Sequence, residues 1–253
     1  MSDPELQPVA GQAPGLSQLQ RVSNTFMAPS KTFADIKRGN KSWWLPFIIF
    51  AVMGYILFGV VSSRIGMQQV VQNQIHLSPK QEDRLNQAPP EQRETSMKVS
   101  LYITEGIFLG NPLLLLIILA LGSLGLWGTI NFVFGGKATY GSIFTVWMYA
   151  GLPGIIKVLL GVIVIFAGTA PESFNIKNYA PTNLGAFLNP LETNAALYSL
   201  ASAIDVTTIW TLVLLGMGTA AVAGVKRTSG YIAVFGWWAI FVLIGVGIAA
   251  ITA

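Results

Sequence analysis

Five long runs along the chain are apolar on every helical face, and polar stretches separate them. They cover about 44–63, 107–133, 143–167, 200–224 and 231–251. Each reaches the roughly 20 residues that an α-helix, rising about 1.5 Å per residue, needs to cross a hydrocarbon core about 30 Å thick. Runs such as Leu113-Leu114-Leu115-Leu116-Ile117-Ile118-Leu119 do not alternate, as the strands of a transmembrane barrel would. The pattern predicts an all-α integral membrane protein, a bundle of five transmembrane helices. The second run is least defined at its start, where Gly110-Asn111-Pro112 marks either a kink or the true helix entry.

The polar stretches differ in kind. Residues 1–15 hold three prolines and two glycines among few large apolar groups, which predicts a disordered cytoplasmic tail. From Leu16 on, Leu16, Leu19, Val22, Phe26 and Met27 fall near helical spacing, with Gln18, Arg21 and Asn24 between them. Pro29 ends that helix, and Ser30 can cap a second one bearing Phe33 and Ile36 beside Lys31, Lys37 and Arg38. Such a basic amphipathic segment before a span reads as an interfacial helix, with Lys31, Lys37, Arg38 and Lys41 as candidate anionic-lipid contacts. It reads equally as a helix packed on the end of the bundle. Two long connections remain, at about 64–106 and 168–199. In the first, Val70, Val71 and Ile75 can continue the first helix beyond the membrane; the second has Phe174, Tyr179, Leu184 and Phe187 to bury and predicts an ordered cap.

Composition enforces the membrane reading. Of 253 residues, 53% are hydrophobic and only 10% charged, against about 25% charged in a soluble domain. The mean hydropathy is +0.59. The first 43 residues contain no apolar stretch of signal-peptide type, so the first span is expected to stay as an anchor. With the N-terminus inside, eight Lys and Arg fall on the inner side and six on the outer. Lys37, Arg38 and Lys41 crowd the first span, and Lys226-Arg227 fill a tight turn. The bias predicts a cytoplasmic N-terminus and an outer C-terminus.

Candidate chemistry is sparse. The chain has no Cys and one His, His76, which leaves no thiolate site and almost no imidazole site. Only Lys157 and Asp205 carry charge inside the five runs. Lys157 falls near the bilayer centre, where a lysine costs roughly 2.5–3.5 kcal/mol. It follows Gly154 in a series with Gly161 and Gly168 that marks a small-residue helix face. Asp205 lies about five residues into the fourth run, roughly 8 Å down, within reach of a long lysine side chain. The two form a candidate intramembrane polar pair, either a relay or polar groove or a structural pair. Pro153, between Gly151 and Gly154, is a candidate helix kink. Gly135-Gly136-Lys137-Ala138-Thr139 lacks the spacing of a phosphate loop, and no nucleophile–base set, metal set or cofactor motif assembles. The expected partners are the bilayer, with anionic lipids, and other membrane proteins or further copies of the chain; nucleic acid is not among them.

Several local strings resemble the bacterial branch of the Yip family, named for Rab-GTPase-interacting proteins of secretory membranes. They are Phe26-Met27-Ala28-Pro29-Ser30-Lys31-Thr32-Phe33, Ser42-Trp43-Trp44-Leu45-Pro46-Phe47, Gly136-Lys137-Ala138-Thr139-Tyr140 with Tyr149-Ala150-Gly151-Leu152-Pro153, then Asn183-Leu184-Gly185-Ala186-Phe187-Leu188 and Ile209-Trp210. The resemblance covers roughly residues 20 to 252 and implies five spans, a cytoplasmic N-terminus and an outer C-terminus. It further implies residence in a bacterial inner membrane and a non-enzymatic adaptor or membrane-shaping role. The acidic-aromatic D-L-Y-G-P string of eukaryotic members has no counterpart here, so the resemblance carries the fold further than the partner. Two functions follow as expectations: a non-catalytic membrane organiser or scaffold, or a small transporter, channel or lipid-moving protein working through Lys157 and Asp205.

Overall fold

The computed structural model describes residues 15–252; the expected disordered tail lies outside them except for Gly15. Helices make up most of the described residues, with no strand among them. Two short helices, α1 (Gln18–Met27) and α2 (Pro29–Lys37), precede the first span, α3 (Trp44–Arg64). Then come α4 (Met67–His76), α5 (Pro79–Gln87) and α6 (Pro90–Leu109). The second span is α7 (Asn111–Gly128), prolonged by a π-helical turn at Thr129–Val133. The third comprises α8 (Tyr140–Ala150) and α9 (Gly154–Phe166). A connection with α10 (Ala195–Ala203) leads to α11 (Val206–Ala223) and α12 (Arg227–Thr252). Among the described residues, five helical elements are long and apolar enough to cross a membrane. We call the end that carries α1 and α2 the near end, and the end where α3 gives way to α4 the far end.

Three boundaries differ from the sequence reading, each for a local reason. The first helix does not run on through Val70, because Gly66, at φ 86°, turns the chain. Val70, Val71 and Ile75 instead face inward from a separate helix, α4, packed on α6. The second helix does not begin at Ile107. It begins at Asn111, after a separate helix, α6, whose apolar turns run down beside α3, where Tyr55 donates to the Leu109 carbonyl at 3.0 Å and Phe58 stacks on Phe108 at 5.3 Å. The break at Gly110 therefore lies within the bundle. The fourth span starts at Val206 rather than Leu200, because Asp205 caps it and α10 ends before it.

The near-end core gathers Phe33 and Ile36 of α2 with Val146 and Tyr149 of α8 and Leu212, Leu214 and Leu215 of α11. Glycine permits this closeness: a Cβ on Gly218 would collide with both Val146 and the Phe33 ring. Arg21 and Thr25 of α1 are fully buried, whereas Leu19 and Met27 are 73% and 83% exposed. The helix thus splits its apolar residues, with Val22 and Phe26 packed on the core beside Arg21 and Thr25 while Leu19 and Met27 point away from the protein. The Gly136–Thr139 turn is architectural. The Asn131 side chain exchanges two 2.9 Å hydrogen bonds with the Ala138 backbone, and the Lys137 amide donates to the Ala223 carbonyl at 3.0 Å.

Candidate functional site: two buried charge clusters

At the far end, Asp205 does two jobs with one carboxylate. Its Oδ1 accepts from the amides of Thr207 at 2.9 Å and Thr208 at 3.0 Å and from the Thr207 hydroxyl at 2.6 Å. That is an N-cap, satisfying amides that a helix start leaves without partners. Its Oδ2 accepts from the Thr182 hydroxyl at 2.6 Å and from Lys157 Nζ at 3.0 Å. Burial works against the charged carboxyl, but the hydrogen bonds from Thr182, Thr207, Lys157 and Thr208 outweigh it and hold the group down at about 2.

The backbone sews the same place together. The Val206 amide donates to the Thr182 carbonyl at 2.9 Å, and Leu184 to Ile204 at 3.3 Å. Lys157 also lies over the Tyr179 ring, 5.8 Å from its centroid. Burial, reinforced by the nearby Asp205 carboxylate, pushes the Tyr179 hydroxyl up to about 12. Asp205 is 2% exposed and Lys157 23%.

The glycine series around Lys157 does not form a single packing face. A Cβ on Gly161 would collide with the Tyr179 ring, so Gly161 is the seat of that ring. Gly154 has open space beside it, and Gly168, at φ 113°, turns the chain after α9. The expectation of a helix-to-helix small-residue face is corrected to a single contact between a helix and a connection. Around Pro153 the chain leaves the α-helix over Gly151–Pro153, where bonds such as Gly154 N–H to the Gly151 carbonyl at 2.9 Å tighten the turn. This break separates α8, packed on α7 and α11, from α9, packed on α3 and α11.

At the near end lies a second cluster that periodicity did not reveal. Asp35, 1% exposed, is 3.0 Å from Arg38 Nη2 and 3.7 Å from Arg21 Nε. It also accepts from Asn40 Nδ2 and from the Leu16 amide, each at 3.1 Å. Arg21 is fully buried, donates to the Asn40 carbonyl at 3.1 Å and lies 5.0 Å from the centroid of the Tyr149 ring. The Tyr149 hydroxyl donates to Gln18 Oε1 at 2.6 Å. The cluster ties α1, α2 and the turn before α3 onto α8. One signal for it stood in the sequence: Asp35 is the lone acid between Glu5 and Glu82, amid Lys31, Lys37, Arg38 and Lys41.

Of the four candidate lipid-contacting cations, Lys31, Lys37 and Lys41 are exposed; Arg38 is exposed too but spends its guanidinium on Asp35. Among the described residues no group of three His, Cys, Asp or Glu is placed to hold a metal.

Comparison with known proteins gives one match. The family model described as the Yip1 domain matches residues 23–249, which takes in Asp35, Lys157 and Asp205 and starts just past Arg21. No curated protein and no solved structure matches the chain.

Proposed function

The chain belongs to the Yip1 domain family, and from that premise we propose that it is a non-enzymatic, multi-pass membrane protein that organises the bilayer and scaffolds partners at its surface. One observation carries this reading. Asp205 has five donors on its two oxygens, three of them from the helix it caps. A relay group must exchange partners as the proton moves, and a carboxylate engaged in this way is a clamp. It holds the connection before α11 against α9, and the Lys157 charge is the clamp's long-range arm.

The near end supports the same reading. Leu19 and Met27 point outward from α1 while Lys31, Lys37 and Lys41 stand exposed close by. Apolar groups beside exposed cations are what the interface of an anionic leaflet accepts. The family resemblance stated above favours residence in a bacterial inner membrane with the near end cytoplasmic.

The second reading, a transporter, channel or lipid-moving protein acting through Lys157 and Asp205, draws on the 23% exposure of the lysine side chain. Purified protein in liposomes, assayed for ion flux and lipid scrambling beside Lys157→Met, separates the two. The scaffold reading expects no flux from either and a lower unfolding temperature for the variant. Flux that vanishes in a folded Lys157→Met protein would overturn it.

A further inference from the structure

The far end holds a cleft of about 840 Å³ between α5, α10, α12 and the connection after α9. That volume falls within the range of pockets that enclose a small ligand. Its chemistry is lopsided. Lys80, Arg84 and Lys177 line it, and no acidic side chain does among the described residues. The sequence arranges this on α5, where Lys80, Gln81 and Arg84 share one helical face while Glu82 and Asp83 stay off the lining. Glu82 is instead 3.1 Å from His76.

One neutral group adds a donor. The Tyr198 hydroxyl accepts from Asn175 Nδ2 and Asn178 Nδ2, each at 3.2 Å, so its own proton is left to donate into the cleft it lines. Three cations and the Tyr198 hydroxyl facing one space make a receptor for an anion with several oxygens.

The remaining wall identifies what carries that anion. Gly245, Ile248, Ala249 and Ile251 of α12 form it, and Ile248 and Ile251 are 57% and 78% exposed. α12 has 26 residues, about 39 Å at 1.5 Å per residue, which exceeds a hydrocarbon core of about 30 Å. Its last turns therefore emerge at headgroup depth. Lys80 Nζ marks that level by donating to the Ile251 carbonyl at 3.0 Å, near the helix end where carbonyls lack partners. A soluble anion has no use for an apolar wall that opens onto the bilayer; a lipid needs both parts.

We propose that this cleft binds an anionic glycerophospholipid of the far-end leaflet, its phosphate among Lys80, Arg84, Lys177 and Tyr198 and its acyl chains along α12. The site is separate from the Lys157–Asp205 clamp, and a flux result there neither supports nor weakens it.

The test uses the full chain in nanodiscs of equal phosphatidylglycerol and phosphatidylcholine, with bound lipid counted by native mass spectrometry after release. Wild-type protein is expected to retain phosphatidylglycerol about tenfold over phosphatidylcholine, a preference of about 1.4 kcal/mol. The combined variant Lys80→Gln, Arg84→Gln, Lys177→Gln should lose that preference at an unchanged unfolding temperature, since all three side chains are exposed. Ile248→Trp, which fills the apolar wall and keeps the charges, should lower total retained lipid. Preference that survives the triple variant overturns the proposal. So does preference lost only when Lys31, Lys37 and Lys41 are replaced, or retained lipid displaced by millimolar inorganic phosphate.

Discussion

At the near end Arg21 meets Asp35 within one helical hairpin; at the far end Lys157 meets Asp205 across 48 positions of sequence. The near pair is fully enclosed but loosely matched. Its Nε–Oδ2 distance is 3.7 Å, and Arg21 keeps Nε and Nη2 without a hydrogen-bond partner among the described residues. The far pair is closer, at 3.0 Å, although its lysine is partly exposed. In the near cluster the charges serve a local segment and bind it to a neighbour through Tyr149. In the far cluster they fix the entry of a spanning helix. Removing a partner should therefore free a hairpin at one end and disturb the bundle itself at the other.

Asp205→Ala is the severest way to break the comparison. It removes a helix cap, a buried ion pair and the anchor of Thr182 together, and should cost about 3–5 kcal/mol. Thermal unfolding in detergent reads this as one lowered global transition. Asp205→Asn keeps an acceptor for the cap amides, so it should lose markedly less. Equal losses for the two would mean that the charge, not the cap, does the holding.

Arg21→Met should come next, at about 2–3 kcal/mol, because Asp35 keeps Arg38, Asn40 and the Leu16 amide. Its signature is local. Hydrogen exchange should rise over residues 16–42 while α11 and α12 stay protected. A uniform rise across the bundle would contradict the division between a local and a global cluster.

The two clusters were not equally readable. Lys157 and Asp205 stood out as the only charges in long apolar runs, and the cost of charge in hydrocarbon made a partner the natural expectation. The five spans were legible for the same reason. Asp205 as a cap was also written in the string Asp205-Val206-Thr207-Thr208, where an Asx residue opens an apolar run; reading the run as starting at Leu200 hid it. Arg21 was hidden by its surroundings. In a segment already rich in Gln, Ser, Asn and Lys, one more polar residue reads as solvated, and periodicity assigns the apolar side inward. Near a membrane that inference loses its footing, since an exposed leucine faces lipid at little cost. The arrangement of α1 follows, with Leu19 out and Arg21 buried beside Val22 and Phe26. The cleft beside α12 was beyond sequence because it joins residues from α5, α10 and α12 that only the tertiary fold brings together.

Gly161→Ala sharpens the far-end account by testing Tyr179 without touching a charge. The added methyl meets the tyrosine ring and should cost about 1–3 kcal/mol through overpacking. Gly154→Ala, seven residues earlier with open space beside it, should be neutral or slightly stabilising. If both substitutions cost the same, the series would have to act as one face after all.

The smallest expected effect is in acid. The Asp205 carboxyl is held at about 2 in the folded chain against an ordinary 3.8. Its folded-state value is depressed, so its contribution to stability is complete above about pH 4 and fades as pH falls toward 2, because the unfolded chain takes up the proton first. Between pH 5 and pH 3, wild-type protein should lose unfolding temperature through this group, and Asp205→Asn, which has no proton to gain there, should lack that component. The difference between the two profiles isolates the clamp from every other carboxyl in the chain. If the profiles run parallel down to pH 3, the carboxylate is not the held group its five donors imply, and Lys157 would then need another partner to account for its place in the bilayer.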